Sequence, residues 1–255
     1  MIRFASLGSG SSGNGLLVES GSTSVLVDCG FPLRDTLARL ARLGRHPTQL
    51  TGILVTHEHS DHVAGVFRLA REYRLPVWLT HGTLAACIDG TGGADCRVID
   101  SHASLAIGDL EVIPYPVPHD AREPVQYVFS DGAVRLGILT DAGAVTPHMI
   151  RMLSGCMGLV LECNHDAEML ARSRYPAFLK RRIAGRFGHL ENRAAADLLA
   201  AIDCSRLEHL VAAHLSERNN LPELAVRALE SVLDCEPGWI GVAEQENGFS
   251  WRQIG

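Results

Sequence analysis

Thr56-His57-Glu58-His59-Ser60-Asp61-His62, entered from the apolar run Ile53-Leu54-Val55, decides how this chain is read. An apolar run that feeds a cluster of imidazoles predicts a buried strand delivering metal ligands at its C-terminal end. His57 and His59 stand two apart, a spacing that in extended chain points both rings to the same side, so they can grip one ion. Asp61 and His62 are adjacent and diverge in any local conformation; in a loop they are placed to hold a second ion beside the first. Two neighbouring sites of borderline nitrogen and oxygen donors suit Zn²⁺, with Mn²⁺ or Fe²⁺ an option where carboxylates contribute. The plainer reading is a polar turn with incidental histidines, and the rarity of His-x-His-x-Asp-His after a strand weighs against it.

The bulk numbers suit an enzyme-sized α/β protein. The 255 residues are 46% apolar and mean hydropathy is near zero, so we expect one large domain spanning residues 1–255. No basic and then apolar leader opens the sequence and no run approaches bilayer length, which predicts a cytoplasmic protein with no membrane partner. Seven cysteines, odd in number and never spaced C-x-x-C, argue against a disulfide framework or a zinc ribbon and read as reduced thiols. A formal net charge of −6 argues mildly against nonspecific coating of nucleic acid, while leaving room for a local basic patch. The unusual number is the twelve histidines.

Working outward, residues 2–7 read as a strand, followed by Gly8-Ser9-Gly10-Ser11-Ser12-Gly13-Asn14-Gly15 and a second strand over Leu16 to Glu19. Such a loop can curl its amides into an oxyanion nest, or can be a hairpin connection rich in turn formers; composition favours neither. Val25 to Gly30 predicts another strand with Asp28 near its end, and Pro32 to Leu43 an amphipathic helix stopped by Gly44. A helix is expected over about 65–73. The prolines of Val112-Ile113-Pro114-Tyr115-Pro116-Val117-Pro118-His119-Asp120 confine that strand to a sheet edge or its own termini. A hairpin over Val125 to Phe129 and Val134 to Leu139 runs into Thr140-Asp141, and a carboxylate there has two oxygens with which to bridge two metals. Gly158 to Glu162 opens into Cys163-Asn164-His165-Asp166. The segment Pro176 to Ile183 carries Lys180, Arg181 and Arg182, which suit a phosphodiester backbone or simply a solvated helix face. A last core strand, Leu207 to Ala212, precedes His214, and a helix over Pro222 to Leu233 begins with proline in its first turn. His46, His81, His102, His148 and His209 earn no role from their neighbours.

The signature His57-x-His59-x-Asp61-His62 resembles that of the metallo-β-lactamase fold of dinuclear metallohydrolases. The resemblance covers nearly the whole chain. The opening Ser6-Leu7-Gly8-Ser9-Gly10-Ser11-Ser12-Gly13-Asn14, the Asn164-His165-Asp166 run and Asn219-Asn220 are similar to the YycJ/WalJ branch. It implies an α/β protein, a four-layer αββα sandwich with the metal site at one edge of the two sheets. It implies His57, His59 and His119 on one metal, Asp61, His62 and His214 on the other, and Asp141 between them, with Asp28 orienting ligands from behind. Two cations about 3.5–4 Å apart could share a hydroxide nucleophile. A histidine in similar surroundings in ribonuclease Z supplies a proton to the leaving oxygen, and His189 is the matching position. Asp61 could be both a ligand and a base, while His165 and Asn164 read as props or substrate contacts. Gly188-His189-Leu190-Glu191-Asn192 departs from the branch at Glu191, where serine is expected.

The resemblance also implies a substrate. Histidines at 59 and 62 disfavour the flavodiiron relatives, and only 23 residues (142–164) separate Asp141 from His165, too few for the inserted domain of the β-CASP nucleases. No segment looks like the protruding arm of ribonuclease Z. What remains is a compact DNA exonuclease working from a 5′ end, with DNA repair as the expected setting and Ser9, Ser11, Ser12, Asn14, Lys180 and Arg181 as candidate phosphate contacts. A hydrolase of small phosphodiesters or thioesters, and a non-catalytic metal-binding accessory to a signalling or repair complex, are the alternatives.

Overall fold

In the computed structural model, which describes residues 1–236 and 238–255, the chain alternates strands and short helices. The first half runs β1 (Ile2–Gly8), β2 (Gly15–Ser20), β3 (Thr23–Val27), α1 (Leu33–Arg42), β4 (Gly52–Leu54), α2 (Ser60–Val63), α3 (Val66–Tyr73), β5 (Val77–Thr80), α4 (His81–Cys87) and β6 (Cys96–Ile99). The second half runs β7 (Leu105–Ile107), β8 (Leu110–Pro116), β9 (Val125–Ser130), β10 (Arg135–Leu139), α5 (Pro147–Leu153), β11 (Gly158–Glu162), α6 (Ala167–Arg172), α7 (Ala177–Ile183), α8 (Asn192–Ala201), β12 (His209–Ala213), α9 (Pro222–Glu230), β13 (Gly241–Val242) and β14 (Phe249–Ile254).

The strands form two seven-stranded sheets, ordered β14-β1-β2-β3-β4-β5-β6 and β13-β12-β11-β10-β9-β8-β7. Each sheet is antiparallel on one side and parallel on the other: β3 to β6 in the first, β10 to β13 in the second. Period-two alternation explains the layering. Phe4, Val18, Val25 and Leu54 face Tyr127, Phe129, Ile138 and Val160 in one buried cluster between the sheets. The opposite faces, through Ala5, Leu17, Leu26 and Ile53 or through Leu139, Leu159, Leu161 and Leu210, pack against helices. Strands covered on both faces need apolar residues at nearly every position, which is why β3, β4 and β11 read as continuous apolar runs. The result is the αββα sandwich that the resemblance implied.

Three sequence expectations shift. β8 is internal to its sheet, yet β7 pairs only with Leu110 to Val112, so Pro114 and Pro116 face a locally open edge where no amide is needed. β3 ends at Val27, because Asp28 turns into the left-handed region with φ 59°. The last long helix ends at Glu230 rather than Leu233.

Parallel strands place their C-terminal ends along one edge, and that edge is where the loops meet. Asn14 N donates to Asp61 O at 2.8 Å, Cys29 N to His62 O at 2.8 Å and Gly30 N to Asn14 O at 2.9 Å. The approach is close enough to exclude side chains: a β-carbon at Gly30 would stand 1.8 Å from Asp61 O, and one at Gly65 2.0 Å from Phe31 O. Among the described residues no helix is long and apolar enough to cross a membrane.

Candidate metal centre

Every candidate ligand leaves the C-terminal end of a strand. His57, His59, Asp61 and His62 follow β4, His119 follows β8, Asp141 follows β10 and His214 follows β12. The structure brings all seven together. Ligand-type atoms of His57, His59 and His119 lie within 4.8 Å of one another, as do those of Asp61, His62 and His214, and those of His57, His62 and Asp141. Asp141 stands between the groups, with Oδ2 2.9 Å from His62 Nε2 and Oδ1 3.8 Å from His119 Nε2 and 3.7 Å from His214 Nε2. His214 adopts φ 54°, so two of the three non-glycine residues with positive φ among the described residues, Asp28 and His214, belong to this edge. Such conformations cost free energy and persist where surrounding contacts over-determine them.

Each imidazole is held from behind. Thr56 Oγ1 lies 2.9 Å from His57 Nδ1, the Asp120 carbonyl 3.3 Å from His59 Nε2, Asp28 Oδ2 2.8 Å from His62 Nδ1, the Gly188 carbonyl 2.8 Å from His119 Nδ1, and the Asn164 amide 3.2 Å from His214 Nδ1. Asp28 also accepts from Thr56 N and Thr56 Oγ1, each at 2.8 Å, so one buried carboxylate ties β3 to β4 and sets the His62 ring. For His57, His59, His62 and His119 the outer partner is an oxygen that accepts the ring N–H, which fixes tautomer and ring angle and leaves the inner nitrogen for a metal; at His214 the Asn164 amide donates to Nδ1 and to the His214 carbonyl and sets the ring's orientation.

The inner atoms fit divalent cations. His57 Nε2 is buried with no hydrogen-bond partner among the described residues, and Asp141 Oδ2, although near His62 Nε2, lacks a partner in line. His59 Nδ1 and His119 Nε2 face each other at 3.2 Å. Buried polar atoms without partners are costly, and a shared cation would satisfy them. Charge agrees. Burial, and then the neighbouring His62, push His57 well below its ordinary range; burial also lowers His119 against the pull of Asp141. Neutral rings are what metal binding requires. For His62 burial acts downward too, but the carboxylates of Asp141, Asp28 and Asp61 outweigh it and raise the imidazole, so the cage carries the negative charge that a divalent cation would offset.

His189 sits at the rim. Its Nδ1 lies 2.8 Å from Glu162 Oε1 and 3.0 Å from Asp141 Oδ1. Burial opposes its charge, yet these two carboxylates carry the ring up to about 10. Glu162, fully buried at the end of β11, also accepts from Ala142 N at 2.8 Å and Leu190 N at 3.2 Å. In the sequence Glu162 stands out only as the acid closing an otherwise apolar strand, with no role assigned to it; the structure makes it the anchor of His189.

The remaining candidates divide. A cavity of about 330 Å³ opens over the cluster, bordered by Ser11, Asp61, Asp120, Leu179, Arg182 and His189 among others. Of the Gly/Ser loop residues only Ser11 borders it. Ser9 Oγ accepts from His214 N at 2.9 Å, Asn14 Nδ2 reaches Asp61 Oδ2 at 3.3 Å, and Ser12 faces Gln245 and Glu217, so these three brace the loop and the ligands and do not border the cavity. Lys180 is tied to Ala171 O, and neither it nor Arg181 borders the cavity; Arg182, on the face of α7 shared with Leu179 and Ile183, does. Asn164 braces His214. His165 is buried, its Nδ1 has no partner among the described residues, and burial, reinforced by His189, lowers it to about 4. It lies outside the cavity lining.

A beta-lactamase superfamily domain matches residues 23–214. The chain is 39% identical to the exodeoxyribonuclease YycJ of Bacillus anthracis over 246 residues, 95% of this chain and 92% of that protein. It is 33% identical to the exodeoxyribonuclease WalJ of Streptococcus pneumoniae over 229 residues, 88% of this chain and 85% of that one. Among solved structures it is similar to the metallo-beta-lactamase fold protein YhfI from Bacillus subtilis, with TM-score 0.75 and 18% identity over 97% of both chains. It is also similar to Zn(2+)-bound PqqB from Methylobacterium extorquens, with TM-score 0.74 and 17% identity over 99% of this chain and 100% of that one. At these identities the structural likeness speaks for the fold alone.

Proposed function

The chain belongs to the beta-lactamase superfamily of metal-dependent hydrolases and, within it, to the YycJ/WalJ branch; on that premise we propose that it is a dinuclear-metal DNA exonuclease acting 5′ to 3′. The observation that carries the reading is the convergence of five imidazoles and two carboxylates, each ring held from behind, around the buried, partnerless His57 Nε2. His57, His59 and His119 would hold one cation, Asp61, His62 and His214 the other, and Asp141 would contact both. Zn²⁺ suits this donor set, and Mn²⁺ or Fe²⁺ fits its carboxylate share. Divalent cations bound there supply neutralisation of phosphoryl charge and a water of lowered pKa.

The chain's own groups account for orientation and proton traffic. His189 is anchored by Glu162 and Asp141 through Nδ1, and its ring borders the cavity, so it can protonate a departing oxygen there. Asp61 borders the cavity too, and its Oδ1 makes no hydrogen bond among the described residues, leaving it able to orient or accept a proton from water. The exonuclease names of the YycJ and WalJ relatives support DNA, and a cavity of about 330 Å³ suits a single-stranded terminus better than a duplex. The 5′ polarity rests on the resemblance.

Metal-stripped protein reconstituted with Mn²⁺ or Zn²⁺ and incubated with 5′- and 3′-labelled DNA tests the proposal. Immediate release of labelled mononucleotide from the 5′ label is expected. Turnover of bis-p-nitrophenyl phosphate without nucleotide release would make it a small-diester hydrolase, and turnover of neither would make it a non-catalytic metal protein.

A further inference from the structure

We propose that Arg182 is the backbone-phosphate clamp for a single-stranded DNA end, oriented for that role by Asp120. This rests on the nuclease reading and adds the group that grips the strand. Arg182 Nε donates to Asp120 Oδ2 at 2.6 Å, while neither Nη group has a hydrogen-bond partner among the described residues. A guanidinium tied through Nε alone presents its two Nη groups as an open fork, the geometry that takes two oxygens of one phosphate. The side chain is 61% exposed and borders the cavity, so a ligand can reach it.

Asp120 fixes where the fork stands. Its Oδ1 lies 3.6 Å from His59 Nε2 and 3.7 Å from His119 Nε2, and its carbonyl faces His59. A single residue thus sets the distance between the clamp and the histidine trio. The surrounding surface points to a nucleic-acid strand in place of free phosphate. Phe178 and Phe187, 67% and 56% exposed, lie on the same short segment as the exposed Arg181 and Arg186. Uncovered phenyl rings interleaved with cations are what stacked bases and a phosphate backbone require together.

The test is fluorescence anisotropy of a labelled single-stranded oligonucleotide, phosphorothioate-linked to slow hydrolysis, with the full-length, metal-loaded protein over a range of salt. Arg182→Ala weakens binding about tenfold, the worth of a charge-assisted hydrogen bond. It also lowers the slope of log affinity against log salt by about 0.7, the value of one single-strand phosphate contact. Arg182→Lys recovers the slope and only part of the affinity, because it restores a charge without a fork. Asp120→Asn weakens binding less than Arg182→Ala, and the double variant binds no worse than Arg182→Ala, as expected if Asp120 acts through the arginine. Failure of the unaltered protein to bind the strand, or equal affinity and slope in Arg182→Ala, overturns the clamp; additive losses in the double variant overturn the part assigned to Asp120. Arg182-dependent binding without nucleotide release supports the clamp and overturns the nuclease reading.

Discussion

The two walls of the cavity are built by opposite rules. On the strand-end wall each ligand histidine is held at its outer nitrogen by a neighbour, and His57, His62, His119, His214, Asp28 and Asp141 are all buried. On the helix wall α7 has no buried residue, and Arg182 is positioned by one ion pair. Reacting groups tolerate little misplacement, whereas a surface that follows a flexible strand must yield. The difference predicts that damage to the first wall is severe and damage to the second graded.

The strongest break is Asp141→Ala, which removes the one carboxylate near both ligand groups; metal and DNA hydrolysis are lost together, read by elemental analysis and labelled-DNA release. Retention of two metals per chain would show that the wall does not depend on Asp141. Next, His189→Ala keeps the metals and slows turnover on the order of 10²–10⁴-fold, measured as kcat on the same DNA. Full activity in that variant would take the histidine out of the mechanism.

A third prediction concerns the packing behind the rim. His165 is held neutral, its pKa lowered to about 4 by burial and by His189. Between the ordinary histidine value and 4 the unfolded chain binds a proton that the folded chain does not, so stability falls as pH falls through that window. The contribution reaches about 3 kcal/mol at its limit. Urea unfolding at stepped pH should show a steeper decline for the unaltered protein than for His165→Asn; parallel declines would assign the slope to other groups. Smaller still is Asp28→Asn, which weakens the brace on His62 and lowers metal affinity by about 10–100-fold, read by competition with a chelating dye. At the bottom of the scale, Lys180→Ala and Ser12→Ala act off the cavity and change kcat/KM by no more than about 0.5 kcal/mol equivalent. A large effect from either would erase the distinction between the helix face that borders the cavity and the face that does not.

What was legible in the sequence follows the same division. The four ligands after β4 are local, set within seven residues whose spacing carries the chemistry, and Asp141 stands out because an apolar strand runs directly into it. Glu162 ends β11 in the same way yet carried no role, because an acid at a strand end does not announce which histidine will pack against it from 27 residues away. The basic segment was visible by composition, but composition does not give helix phase. Leu179, Arg182 and Ile183, spaced i, i+3 and i+4, share the cavity face, and an apolar pair at that spacing would have singled out Arg182 over Lys180 and Arg181. Ser9 and Asn14 looked like phosphate contacts because a hydroxyl or amide in a glycine loop is read as available. Whether it is engaged by His214 N or Asp61 is decided by chain more than 40 residues distant.

The pairing of β14 with β1 has a kinetic side. It joins Phe249 to Ser6 and Ile254 to Ile2, so a chain refolding from denaturant must close a loop of almost its whole length before the antiparallel flank of the first sheet is sealed. Until then β1 offers a bare row of amides and carbonyls on which a second copy can nucleate. Refolding yield would therefore drop with protein concentration, through two strands that contribute no ligand at all.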